Sequence, residues 1–162
     1  ELYAAGFPLH EQRRPEEQIQ AMKDPAFHCD ALVESGTFIG LLFYWEAVGV
    51  TYVEHFAVVE ALRSSGAGSR ALAAFCPAHA PVVLEIDPPE DAVSTRRKGF
   101  ISGCAENSYA HRRPPYRTGF APHPLVVMSW PEALSPEAYS TFSRMLSHRV
   151  MRYAQVGISQ LQ

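Results

Sequence analysis

Two stretches of the chain hold residue types that could do chemistry. The first is Arg63-Ser64-Ser65-Gly66-Ala67-Gly68-Ser69, between an apolar strand-like run and a helix-like run. Its two glycines let the backbone turn tightly and come close to a ligand. If Ala67 to Ser69 open a helix, their N–H groups and the positive end of the dipole face that ligand. Such a cradle suits an anion, and a phosphorylated cofactor is its natural guest. The second stretch surrounds Glu54, a carboxylate among apolar neighbours in the strand-like run 52–59. A buried carboxylate is costly unless it is paired, protonated or open to a cleft. In strict alternation Tyr52, Glu54, Phe56 and Val58 share one face, and Val53, His55 and Ala57 the other. Two roles fit Glu54: a general base whose pKa burial raises toward working pH, or a structural carboxylate bonded to an Arg or Tyr. His55 is the second candidate base, and a bulge would exchange the two residues.

The elements that must position these residues are legible in outline. Leu2, Tyr3, Ala4 and Phe7 read as a helix end stopped by Pro8. Arg14-Pro15-Glu16-Glu17 opens a second helix, with proline in its first turn, acids near the positive dipole end, and Ile19 and Met22 directed inward. Asp24-Pro25 ends it. Residues 27–34, a Ser35-Gly36 turn and residues 37–46 read as an antiparallel hairpin, with Tyr44 and Trp45 either in the core or facing a cleft. After the glycine loop comes a helix over 67–75, with Ala71, Leu72 and Phe75 inward and Pro77 curtailing it. Residues 81–86 follow as a buried strand, and a further helix spans 92–101. Segment 107–120, dense in Tyr, Arg, His and Pro, reads as a functional irregular loop, with Tyr109, Tyr116 and Arg117 as candidate substrate contacts. Residues 125–130 form a last strand. Ser135-Pro136-Glu137 then caps a terminal helix whose stripe of Tyr139, Phe142, Met145, Leu146 and Tyr153 faces the core or, alternatively, a homodimer partner.

Two families share the letters of the glycine loop. Gly66, Gly68 and Ala71, with Glu85 about twenty residues on, mimic a dinucleotide fingerprint. In that motif, however, the first glycine follows its strand almost at once, whereas Glu60, Ala61, Leu62 and Arg63 intervene here. The upstream strands also read as antiparallel, which does not suit a parallel strand-helix alternation.

With Glu54-His55-Phe56-Ala57-Val58 in front and a helix behind, Arg63, Gly66 and Gly68 resemble motif A of the GNAT-type acyl-CoA N-acyltransferases: Arg or Gln, two residues, Gly, any residue, then Gly or Ala. The similarity continues through Pro81-Val82-Val83-Leu84-Glu85, Arg97 and Phe100 to Leu125-Val126-Val127-Met128-Ser129, and so covers most of the chain. The resemblance implies a single-domain α/β fold over 1–162. Its mixed, mostly antiparallel sheet would have a V-shaped splay between central strands, helices on its flanks, and a first strand before Glu1. It also implies acetyl-CoA as cofactor. Pantetheine would lie along the main chain of Phe56, Ala57 and Val58. The pyrophosphate would sit on Gly66, Ala67, Gly68 and Ser69 in the loop begun by Arg63, Ser64 and Ser65. An amine acceptor, a small molecule or a peptide, would attack directly in a ternary complex, with Glu54 taking its proton. The chain departs from the family at Ser94, where an Asn is usual, and at Ile101, where a Tyr protonates the leaving thiolate. Tyr109, Tyr116 or a water would replace that acid. The alternative is a non-catalytic CoA-binding or sensory module on the same fold.

Composition narrows the rest. At 162 residues and a net charge of -3, the chain suits one domain with a sizeable core. Its basic residues are scattered, apart from Arg96-Arg97-Lys98 and Arg112-Arg113, which gives no nucleic-acid footprint. Cys29, Cys76 and Cys104, odd in number and widely spaced, read as buried reduced thiols of a cytoplasmic protein. The histidines show no ligand spacing, so no metal site is expected. No apolar run is long enough to span a bilayer and no signal peptide precedes the fold, so no membrane partner is expected either.

Overall fold

The structure, a computed structural model, describes residues 1–47, 49–88, 90 and 103–155. The helix expected over 92–101, with Ser94, Arg96, Arg97, Phe100 and Ile101, lies outside the described residues. Six strands form one mixed sheet: β1 (Phe27–Glu34), β2 (Thr37–Ala47), β3 (Val50–Val58), β4 (Val82–Ile86), β5 (Ala105–Arg113) and β6 (His123–Trp130). Their order is β1-β2-β3-β4-β6-β5. The β1/β2 hairpin closes as expected on Ser35 (φ 51) and Gly36 (φ 79). Two consecutive left-handed residues give the primed turn that matches strand twist. At Gly40 β2 comes close to β3, and an added Cβ would lie 2.2 Å from the carbonyl oxygen of Ala57.

Every neighbouring pair is antiparallel except β3 and β4, which are parallel and joined through helix α3 (Ala67–His79). Their pairing is short: Thr51 with Val82, Tyr52 with Val83, and Val53 with Leu84. β3 then runs on to Val58 while β4 stays with β6 to Ile86. The two strands therefore part, and this opening is the V-shaped splay.

Each face of the sheet has its own core. Leu42, Tyr44, Val53, Val82, Leu84 and Met128 pack with Leu72 and Cys76 of α3. Trp45, Tyr52, Val83 and Val127 pack with Phe142 and Met145 of α4 (Pro136–Met145) and with Ala21 of α2 (Pro15–Ala21). The Phe142 ring is fully buried, edge-on to Tyr52 at 5.3 Å, and burial of such a ring stabilises by about 1.5–3 kcal/mol. Ser135 caps α4, its Oγ accepting from Ala138 N at 3.1 Å. The stripe of Phe142, Met145 and Leu146 is buried, with Tyr139 and Tyr153 packed against the same core. No helix among the described residues is long and apolar enough to cross a membrane.

Four local expectations are corrected. Ile19 and Met22 are exposed, at 55% and 54%, because the short α2 meets the core through Ala21 instead. The end of α2 is held by Asp24, which accepts from Ala26 N at 2.9 Å and from Arg149 and Tyr153 of the C-terminal segment. Pro77 lies inside α3 without ending it: it falls in the last turn, where one missing N–H costs little compared with the burial of Cys76. Residues 105–113 form a strand with an irregularity between Asn107 and His111. Its inward side chains, Asn107, His111 and Arg113, are polar yet buried, so no apolar alternation marks it. Cys29 is exposed, while Cys76 is buried and Cys104 packs against the cluster that contains it.

Candidate functional site

β3 carries the residues nearest the splay, and a bulge sets their directions. Tyr44 pairs with Val53 and Phe43 with His55, so Glu54 is the extra residue on β3. A bulge of this kind resets the alternation. Glu54 and His55 both turn toward the face of α2 and α4, Phe56 packs on the α3 side, and Ala57 returns to the opposite core. The strict alternation read from the sequence therefore fails at Glu54.

The Glu54 carboxylate is completely enclosed. Arg13 grips it in a bidentate pair, Nη2 donating to Oε2 at 2.8 Å and Nη1 to Oε1, and both side chains have 0% exposure. Trp45 Nε1 donates to Oε2 at 2.9 Å. His55 Nδ1 lies 3.2 Å from Oε1 without the alignment of a hydrogen bond. Burial pushes the Glu54 carboxyl up, but the charge and hydrogen bonds of Arg13 outweigh it, holding the group well below the usual carboxylate range. The expectation that burial raises this pKa toward working pH is thus overturned. The geometry is that of the structural carboxylate bonded to an arginine.

Nothing in the sequence distinguishes Arg13 from its neighbour. Arg14 is exposed and bonds Glu17 at the start of α2, whereas Arg13 turns inward and also donates to the carbonyl of Val150 at 3.1 Å. Its guanidinium lies 4.8 Å from the ring centre of Tyr116, and that of Arg113 lies 5.2 Å from it. Tyr116 is fully buried. Its amide donates to His10 O and its carbonyl accepts from Gln155 N, each at 2.9 Å. Its phenolic oxygen, however, has no hydrogen-bond partner among the described residues. Burial, followed by the Glu54 charge, raises this phenol well above its ordinary value, so it stays protonated. Tyr109 is engaged elsewhere, donating to Leu134 O at 2.8 Å and stacking on Tyr139 at 4.0 Å. Arg117 donates to Gln12 O at 3.1 Å and ties the 114–122 loop to the N-terminal segment.

A second buried knot lies under β4. Glu85 accepts from Tyr52 Oη, contacts His111 Nε2 and accepts from Arg113 Nη1 at 3.4 Å. Burial raises its carboxyl and Arg113 and His111 lower it, with a net lowering. Both oxygens of Glu85 are thereby committed, so the acid of the dinucleotide reading is not available to a ribose.

The glycine loop takes the shape expected of it. Arg63 Nε donates to Val58 O at 3.2 Å, Ser64 and Gly66 adopt positive φ (70 and 82), and Ala67 begins α3. Ser65 Oγ accepts from Ala67 N at 3.3 Å, and the first helical bond runs from Arg70 N to Gly66 O. The amides of Gly66 and Gly68 have no partner among the described residues. They stand at the positive end of a 13-residue helix, an arrangement that favours a phosphate. Val58, the last residue of β3, is joined to this loop through the 3-10 turn Glu60–Leu62. Phe56, Ala57 and Val58 thus lie between the splay and the amide cradle, on a strand whose pairing with β4 has already ended at Val53.

No family profile matches the chain, and no curated protein does. Solved structures do. An acetyltransferase assigned to the GNAT family from Bacteroides thetaiotaomicron superposes with a TM-score of 0.84 at 30% identity, covering 93% of this chain and 88% of the other. The ribosomal-protein-S18-alanine N-acetyltransferase of Escherichia coli shares the fold, with a TM-score of 0.51 at 15% identity over 83% of this chain and 90% of the other. The chain belongs to the GNAT family of acetyltransferases.

Proposed function

We propose that the protein transfers an acetyl group from acetyl-CoA to an amine. The observation that carries this reading is the parting of β3 from β4 after Val53 and Leu84, with the glycine loop that opens α3 tied to the end of β3 by the bond from Arg63 Nε to Val58 O. In this reading the amides of Gly66 and Gly68 hold the pyrophosphate. The main chain of Phe56, Ala57 and Val58 runs beside pantetheine, and an N–H of that stretch polarises the thioester carbonyl. Glu54 serves the site by fixing Arg13 beneath Tyr116 rather than by taking a proton. Tyr116, with a protonated and unbonded phenol close to the bulge, is the candidate donor to the departing thiolate. Much of the rate would come from holding amine and thioester together.

The test is thermal unfolding with acetyl-CoA, free CoA and NAD side by side. A ligand at a hundred times its Kd stabilises by about 2.7 kcal/mol, which for a chain of this size is a rise on the order of 5–10 °C. The expected result is a rise with both CoA species and none with NAD, followed by amine-dependent thiol release across a panel of acceptors. No rise with either CoA species would overturn the reading.

A further inference from the structure

Beyond acetyl transfer, we propose that His10, Glu11 and His123 form a binding site for a divalent transition-metal ion, zinc being the best match. Ligand atoms of these three half-buried side chains lie within 4.8 Å of one another. The two imidazole rings are 5.2 Å apart, and His10 Nε2 lies 3.9 Å from Glu11 Oε1.

Two further features point to a ligand. His10 Nε2 is out of contact with solvent and has no hydrogen-bond partner among the described residues, so it is free to form a metal–nitrogen bond. His123 Nε2 is bonded to Asp87 Oδ1 at 2.8 Å, the carboxylate support that commonly orients a metal-bound histidine. Two imidazoles and a carboxylate suit zinc, cobalt or nickel rather than magnesium or calcium, which prefer all-oxygen shells. Tetrahedral coordination with bonds of about 2.0 Å brings ligand atoms to about 3.3 Å, so the 4.8 Å cluster must close by up to about 1.5 Å. His10 and Glu11 sit in the short 3-10 turn Leu9–Glu11 and His123 is the first residue of β6, so the movement falls to rotation of their partly exposed side chains. Arg113 Nη2, 3.4 Å from Glu11 Oε1, faces the same oxygen that lies 3.9 Å from His10 Nε2, so the ion would share that carboxylate with the guanidinium.

The cluster straddles the two strands that have parted. Glu11 O is bonded to His55 Nε2 of β3 at 2.7 Å, and Asp87 directly follows β4. A bound ion would clamp the N-terminal loop across the splay, with its open coordination position available to a nitrogen or oxygen ligand. Sequence spacing could not show this, because His10 and His123 meet only through the fold.

The experiment is titration of chelator-treated protein with zinc by calorimetry and with cobalt by its visible absorption, neither of which depends on acetyl-CoA binding. One ion per chain is expected, with affinity at least tenfold weaker in His10→Ala and in His123→Ala. Both variants should keep the wild-type circular dichroism. His28→Ala and His79→Ala, which alter the separate histidines beside Glu46, should leave binding unchanged. Absence of binding by the wild-type chain, retention in both His10→Ala and His123→Ala, or loss only in His28→Ala or His79→Ala would overturn the proposal.

Discussion

Replacing Arg13 by Met would leave the Glu54 carboxylate buried at 0% exposure with Trp45 as its remaining hydrogen-bond donor. Removing one partner of a buried ion pair costs about 3–5 kcal/mol, and loss of the bond to Val150 O adds about 1 kcal/mol. Equilibrium urea unfolding at pH 7 should show a deficit of this size. The pH dependence follows from the direction of the shift. In the wild type the folded-state pKa of Glu54 is depressed, so its contribution is fully present above the unfolded value near 4.3 and is lost as pH falls through the folded value. In Arg13→Met the opposing charge is gone and burial raises the pKa instead. Protonation of Glu54 then relieves the penalty, and the deficit relative to wild type should shrink between pH 7 and pH 4.5. The double variant Arg13→Met/Glu54→Met removes both charges and should recover about 2 kcal/mol or more of the loss. A single-variant deficit under about 1 kcal/mol at pH 7, or one that grows as the pH is lowered, would refute this account of the pair.

Other substitutions separate stability from function. Tyr116→Phe removes an unbonded hydroxyl, so stability should change by less than about 1 kcal/mol; if the phenol donates to the thiolate, kcat should drop by about a hundredfold or more. An unchanged kcat would take Tyr116 out of the chemistry. Gly66→Ala places a side chain at φ 82, with its Cβ 3.1 Å from Arg70 Nη1. It should destabilise by about 1 kcal/mol and reduce the thermal shift produced by acetyl-CoA, whereas an undiminished shift would move the phosphate site elsewhere. Ser135→Ala removes the cap bond to Ala138 N and should cost about 1 kcal/mol in urea unfolding. No loss would mean that the start of α4 is held by its packing alone.

The local sequence was informative wherever a short stretch specifies its own geometry. Ser35-Gly36 between two apolar runs marked the β1/β2 hairpin, and β1 spans the residues expected of it. Ser135-Pro136 marked the start of α4, and the helical stripe behind it faces the core. The glycine loop after β3 was legible for the same reason, since left-handed φ and exposed helix-terminal amides are properties of a few adjacent residues. β5 was missed because its inward face is Asn107, His111 and Arg113, each buried through polar partners drawn from elsewhere in the fold. The role of Glu54 stayed open because its partner, Arg13, is 41 residues away and sits beside a second arginine of the same type.

The sequence by itself thus determined the family resemblance, the hairpin, the phosphate-type loop and the terminal helix, all set by interactions within a few residues. Only the tertiary structure decided which arginine neutralises Glu54, that a bulge places His55 on the same face, and that the Tyr116 ring lies close to two guanidiniums, its phenol without a hydrogen-bond partner among the described residues. It also brought His10 to His123. Partner choice among buried charges depends on which distant groups share a dry, low-dielectric volume, and packing alone creates that volume.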